Sequence, residues 1–185
     1  MNRSWVRKAI NFMLFQAGWY ALVKAAAAGH AERGMLAGAA IVAYEICFGG
    51  NPRGRIIVLL LAAGAIGFTV DSAHILLGVF QVPGPLPFGH LCPLWLVMLW
   101  MVFATTLRSS TSWMAGRYIA GSLLGAIGGP LSYWAGAKLG AATLQTPPAF
   151  SLIPLAISWA LTTPLIIWLA DRLIPLKVSR LEAIP

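Results

Sequence analysis

Asp71 and His74 stand three residues apart inside the apolar run 56–80, so both fall on one face of a helix. Ala63, Gly67 and Gly78 share that face at helical spacing, while the rest of the run is mostly Leu, Ile, Val and Phe. A carboxylate at the centre of an apolar span costs on the order of 2.5–3.5 kcal/mol, so it needs a partner or a task. Two uses suit Asp71. It is a general acid or base if burial raises its pKa, or half of an ion pair that locks helices together. His74 is correspondingly a proton carrier or a buried hydrogen-bond donor. Asp-x-x-His supplies only two metal ligands, so no metal and no cofactor is expected.

Other polar and aromatic side chains fall at related depths. Gln16, Tyr20 and Lys24 are four residues apart in the run 9–28. Tyr133 and Lys138 lie late in the run 117–142, and Trp95, Trp100 and Phe103 form an aromatic group suited to an apolar ligand in the run 92–107. Lys24 and Lys138 are either counter-charges for Asp71 or chains that snorkel to a membrane surface. Glu45 stands apart, close to Arg53 and Arg55. The chain has no P-loop, no His-Glu-x-x-His, no Gly-x-Ser-x-Gly and no dinucleotide fingerprint, so whether it is an enzyme stays open.

The elements that must position these groups follow from composition. Of 185 residues, 59% are hydrophobic and only 10% charged, and mean hydropathy is +0.79. A soluble domain carries about 25% charged residues, so this composition excludes a typical soluble enzyme and a disordered tail. Six apolar segments are predicted as helices, at 9–28, 34–49, 56–80, 92–107, 117–142 and 150–171. Gly and Pro mark most connections, and a basic tail, 172–185, follows. The expected fold is an all-α integral membrane protein, one polytopic domain over 1–185. The N-terminal run is read as a retained first helix rather than a cleaved signal, because Lys24 precedes the small residues.

Charge sets the orientation. The net charge of +8 lies in short gaps between apolar runs, which argues for membrane topology and against a nucleic-acid partner. With the N-terminus cytoplasmic, ten Lys and Arg fall on the cytoplasmic side: Arg3, Arg7, Lys8, Arg53, Arg55, Arg108, Arg117, Arg172, Lys177 and Arg180. Three, Lys24, Arg33 and Lys138, fall opposite. Both termini are therefore expected in the cytoplasm, and Asp71, about 22 Å along an outward-running helix, in the outer half.

The fifth segment carries two glycine ladders. Gly121, Gly125 and Gly129 form one, and Gly128, Ser132, Gly136 and Gly140 the other. Small residues at this spacing let helix backbones approach, within one chain or across a homo-oligomer. Pro130 removes a backbone donor, so a kink is expected at Gly128-Gly129-Pro130, with freed carbonyls at a binding site in the sharper reading.

Several stretches together resemble one family. They are Asn11-Phe12-x-Leu14-Phe15-Gln16-x-Gly18-Trp19, Gly67-x-x-x-Asp71-Ser72, Pro93-Leu94-Trp95-x-x-x-x-Trp100-x-x-Phe103-Ala104, and Gly128-Gly129-Pro130-Leu131-x-Tyr133-Trp134-x-Gly136-x-x-x-Gly140. Over roughly 9–172 the chain is similar to the bacterial inner-membrane domain-of-unknown-function family 2878. The resemblance implies a small multi-helix protein of the bacterial inner membrane, with no established activity. It also implies genes encoded near those of lipid-modifying enzymes, and it transfers no catalytic residue.

Three functional expectations result. In the first, the protein binds or helps modify a lipidic molecule in an outward-facing polar pocket around Asp71. In the second it is a small transporter or flippase-like component. In the third it is a non-catalytic membrane partner of a lipid-modifying enzyme.

Overall fold

The structure, a computed structural model, describes residues 3–84, 86 and 89–176, with side chains from Trp5 onward. Within these residues the chain forms six α-helices: α1 (Arg3–Ala27), α2 (Ala31–Phe48), α3 (Arg53–Leu76), α4 (Leu94–Ala104), α5 (Tyr118–Lys138) and α6 (Ala149–Leu173). Short 3₁₀ turns at Thr105–Arg108 and Ser112–Met114 join α4 to α5. The expected tail 172–185 gives its first two residues to α6, and from position 177 on it lies outside the described residues.

The helix ends have local causes. Pro52, Pro93 and Pro148 each stand just before a helix, where a fixed φ helps and a missing N–H costs nothing. Helices α3 and α5 stop earlier than expected, because Gly78 and Gly140 take φ of 67° and 88° two residues past the last turn. The chain freed by these stops forms a two-residue antiparallel ribbon that hydropathy does not signal. Its strands, β1 (Phe80–Gln81) and β2 (Thr143–Leu144), pair Phe80 with Leu144 and Gln81 with Thr143. Helix α5 runs continuously through Pro130, so the sharper reading of a helix interrupted at Gly128-Gly129-Pro130 is not met.

Packing divides the bundle. Helices α5 and α6 form the most extensive pair, α1 packs on α2, and α4 lies against α1, α2 and α3. The α5–α6 hairpin meets the remainder chiefly through α6 and α3. At one end, polar side chains tie helix termini together. Asn11 donates to Glu45 Oε2 and to the Thr105 carbonyl, both at 3.2 Å, and accepts from Ser110 at 2.7 Å. Glu45 also accepts from Asn51 at 3.2 Å, so its close partners are amides rather than the arginines suggested by sequence proximity. At the same end Arg108 pairs with Asp171 at 2.5 Å. At the other end Ser151 Oγ donates to the Val79 carbonyl at 2.5 Å and accepts from the Gln145 amide at 2.8 Å, holding the ribbon to α6.

Helices α3 and α6 are long and apolar enough to cross a membrane. Only 22% of the most apolar stretch of α6 is buried, unlike the core helix of a soluble domain. Ile153, Ile157, Leu161, Leu165 and Trp168 form one exposed apolar stripe along α6, and Ile119, Leu123, Ile127, Leu131 and Trp134 form another along α5.

Candidate functional site

Asp71 is fully buried. Trp100 of α4 donates its indole N–H to Asp71 Oδ2 at 2.9 Å, and the Tyr133 hydroxyl of α5 donates to Oδ1. His74 Nδ1 stands 3.9 Å from Oδ1, too far for a hydrogen bond, and has no partner among the described residues. The polar face of α3 therefore joins α3, α4 and α5 at one carboxylate. Next to it, Ser72 Oγ accepts the backbone N–H of Cys92 at 3.0 Å, which fixes the loop before α4.

Two glycines make this geometry possible. The Trp100 ring occupies the place where a Cβ on Gly67 would stand, so the indole lies against the α3 backbone one turn before Asp71. The other face of Trp100 stacks on Trp159 of α6, with centroids 4.3 Å apart. Trp159 in turn fills the space where a Cβ on Gly129 of α5 would stand. Two stacked indoles thus sit between two glycines, and the four residues come from four helices. The two ladders on α5 separate in function. Gly121, Gly125 and Gly129 face Ile167, Thr163 and Trp159 of α6, whereas a Cβ on Gly128 would meet nothing within 4 Å. Ser132, on the second ladder, accepts the Trp19 indole N–H of α1 at 2.7 Å. Higher up, Gly136 and Gly140 pass close to Val23 and Ala27 of α1.

Between the ladders and α1 lies a cavity of about 710 Å³. Helix α1 contributes Phe12, Phe15, Gln16, Trp19 and Val23; α4 contributes Trp95, Leu96, Leu99, Trp100 and Phe103. Helix α5 supplies Leu124, Gly128, Ser132 and Tyr133, and α6 supplies Trp159 and Thr163. Phe80 and Ala141 close one end, and Thr111, Trp113 and Met114 the other. The cavity reaches the surface between α1 and α5, where Phe12, Gln16, Leu124, Gly128 and Leu131 are both exposed and part of its wall.

The expected site residues fall into three groups. Asp71, His74 and Tyr133 come together, behind the wall rather than in the cavity, with only Tyr133 forming part of the wall. Trp95 and Gln16 line the cavity. Tyr20, Lys24 and Lys138 are exposed, and Asp71 pairs with neither lysine. Lys138 Nζ instead lies 5.6 Å from the Trp134 ring centroid. The geometry is thus an aromatic chamber with a buried carboxylate behind it, where the residue spacing suggested a polar pocket. Trp159 is the principal residue that sequence reasoning missed. Its signal was available only indirectly, as glycines on α3 and α5 that an aromatic ring could cover. Among the described residues no three His, Cys, Asp or Glu side chains come together to hold a metal ion.

The family described as protein of unknown function (DUF2878) matches residues 8–165. The chain belongs to the DUF2878 family. The matched span covers the cavity-lining residues of α1, α4 and α5, together with Asp71, Trp159 and Thr163. No curated protein and no solved structure matches the chain.

Proposed function

We propose that this DUF2878 protein is a six-span protein of the bacterial inner membrane, with both termini cytoplasmic, that holds a lipidic molecule in its aromatic cavity. The cavity carries this reading. It falls within the roughly 300–1,000 Å³ range of small-molecule sites, and its wall is mainly aromatic and aliphatic. It opens between α1 and α5, where exposed Phe12, Met13, Ile127 and Leu131 flank the seam, so a molecule entering there comes from the bilayer. The exposed stripes on α5 and α6 support lipid as the surrounding solvent, because apolar surface of that extent is a liability in water. Asp71 then serves through Trp100 and Tyr133, by fixing two walls of the chamber. The same sideways opening favours a flippase-like second reading, in which the lipid moves through the chamber.

Comparative lipidomics of a deletion strain tests the proposal. The expected result is an altered lipid profile restored by the wild-type gene but not by Gly128→Trp. That variant places an indole at the chamber wall from a position where an added Cβ meets nothing within 4 Å. Full rescue by a well-inserted Gly128→Trp protein overturns the reading. An unchanged lipidome with altered distribution of a lipid between leaflets supports the flippase-like reading instead.

A further inference from the structure

The charge state of the chamber wall narrows the ligand class, an inference that rests on the lipid-binding reading above. None of the described residues lining the cavity is charged. Its polar side chains are neutral amides, hydroxyls and indoles, among them Gln16, Ser132 and Thr163. Lys24 and Lys138 are exposed and lie off the wall, and Arg108 is held by Asp171. An anionic headgroup brought inside would have no counter-charge, and desolvating an unpaired anion is costly.

A cationic headgroup likewise finds no carboxylate among the described residues of the wall. Both oxygens of Asp71 already accept hydrogen bonds, from Tyr133 and Trp100. The facing rings of Trp100 and Trp159 are stacked on each other, and Phe103 meets Trp159 edge-on at 5.6 Å, so these faces are taken. One donor remains. Ser132 Oγ accepts from Trp19, and its own proton goes to no described residue. It stands on the chamber wall at the α1–α5 seam.

We infer that the chamber takes an electrically neutral lipid, with an ester, ketone or alcohol oxygen accepting a hydrogen bond from Ser132. The full-length protein, reconstituted in nanodiscs, is titrated with three probes carrying dibrominated acyl chains: a diacylglycerol, a free fatty acid and a phosphatidic acid. Bromine quenches tryptophans that it touches, and five tryptophans, including Trp100 and Trp159, line the chamber. Saturable quenching by the diacylglycerol is expected, with the two anionic probes giving only the quenching of bulk bilayer. Ser132→Ala should weaken diacylglycerol binding roughly three- to tenfold, as for one hydrogen bond, and Ser132→Thr should restore it. Gly128→Trp should abolish it.

Preferential binding of either anionic probe overturns the neutral-ligand inference and leaves lipid binding standing. Equal affinity for wild type and Ser132→Ala overturns the role of Ser132. Ser132→Ala and Ser132→Thr weakened alike also overturn it, since the hydroxyl is then not what matters. Saturable quenching by none of the probes overturns both the inference and the lipid-binding reading.

Discussion

Trp100 of α4 stacks on Trp159 of α6 with ring planes 15° apart, and each indole also covers a glycine on a further helix. Gly67 and Gly129 therefore act as seats for rings. An added methyl at either place must push an indole that is already held on its other face. Gly67→Ala and Gly129→Ala should each destabilise the protein by about 1–3 kcal/mol, the usual cost of overpacking. Gly128→Ala, one residue away, meets open space and should be neutral or stabilising by up to about 1 kcal/mol through helix propensity. Thermal unfolding in detergent checks the contrast, and equal losses at positions 128 and 129 would refute the seating role.

The carboxylate behind the stack should behave as a structural acceptor. Asp71→Ala leaves the Trp100 N–H and Tyr133 O–H without their acceptor, at about 1–3 kcal/mol for each orphaned donor. Asp71→Asn keeps one carbonyl oxygen and should lose less. In a double-mutant cycle, Asp71→Ala with Tyr133→Phe should show a coupling of about 0.5–3 kcal/mol, because each substitution removes the same bond. A coupling of zero would mean that the bond contributes nothing. Full complementation by a folded Asp71→Asn protein would exclude a functional need for the carboxylate.

At the opposite end, Asp171 gathers Arg108, the Gly116 amide at 3.0 Å and the Tyr118 hydroxyl at 3.1 Å. The Arg108 side chain is 1% exposed, so its charge has little water to turn to. Asp171→Ala should cost about 3–5 kcal/mol by leaving that charge unpaired. Because the guanidinium is buried, the loss should change little between low and high salt. A loss under 1 kcal/mol would place the pair among ordinary surface ion pairs.

The proposed topology has a direct readout. His30 sits between α1 and α2, and Cys47, exposed, is near the far end of α2. A membrane-impermeant maleimide should label His30→Cys on intact spheroplasts and Cys47 only after lysis. The reverse pattern would invert the orientation.

Much of this arrangement is legible in the residues. The six helices fall close to the six apolar runs, because backbone groups among so many apolar side chains must satisfy one another locally. Asp71 also stands out, since one carboxylate on a face of small residues has to meet other helices. The two offset ladders of α5 are readable as well, but their tasks are not. Nothing in the spacing says that Gly129 receives a ring and Gly128 a void. Nor does it say that Asn11, rather than an arginine, holds Glu45. The early stops of α3 and α5 depend on Gly78 and Gly140 adopting positive φ, one conformation among several open to glycine.

The scarcity of charge and the positions of the apolar runs by themselves determined the helical class and the residues that could not face an apolar solvent. Helical periodicity assigned those residues to faces. Only the tertiary structure decided which faces meet. It directed Asp71 to two aromatic donors rather than to Lys24 or Lys138, because the short carboxylate lies inside the bundle while the long lysine chains carry their charges to its surface. It also turned an expected polar pocket into an uncharged chamber, since the stacked indoles stand between the carboxylate and the space where a ligand would lie.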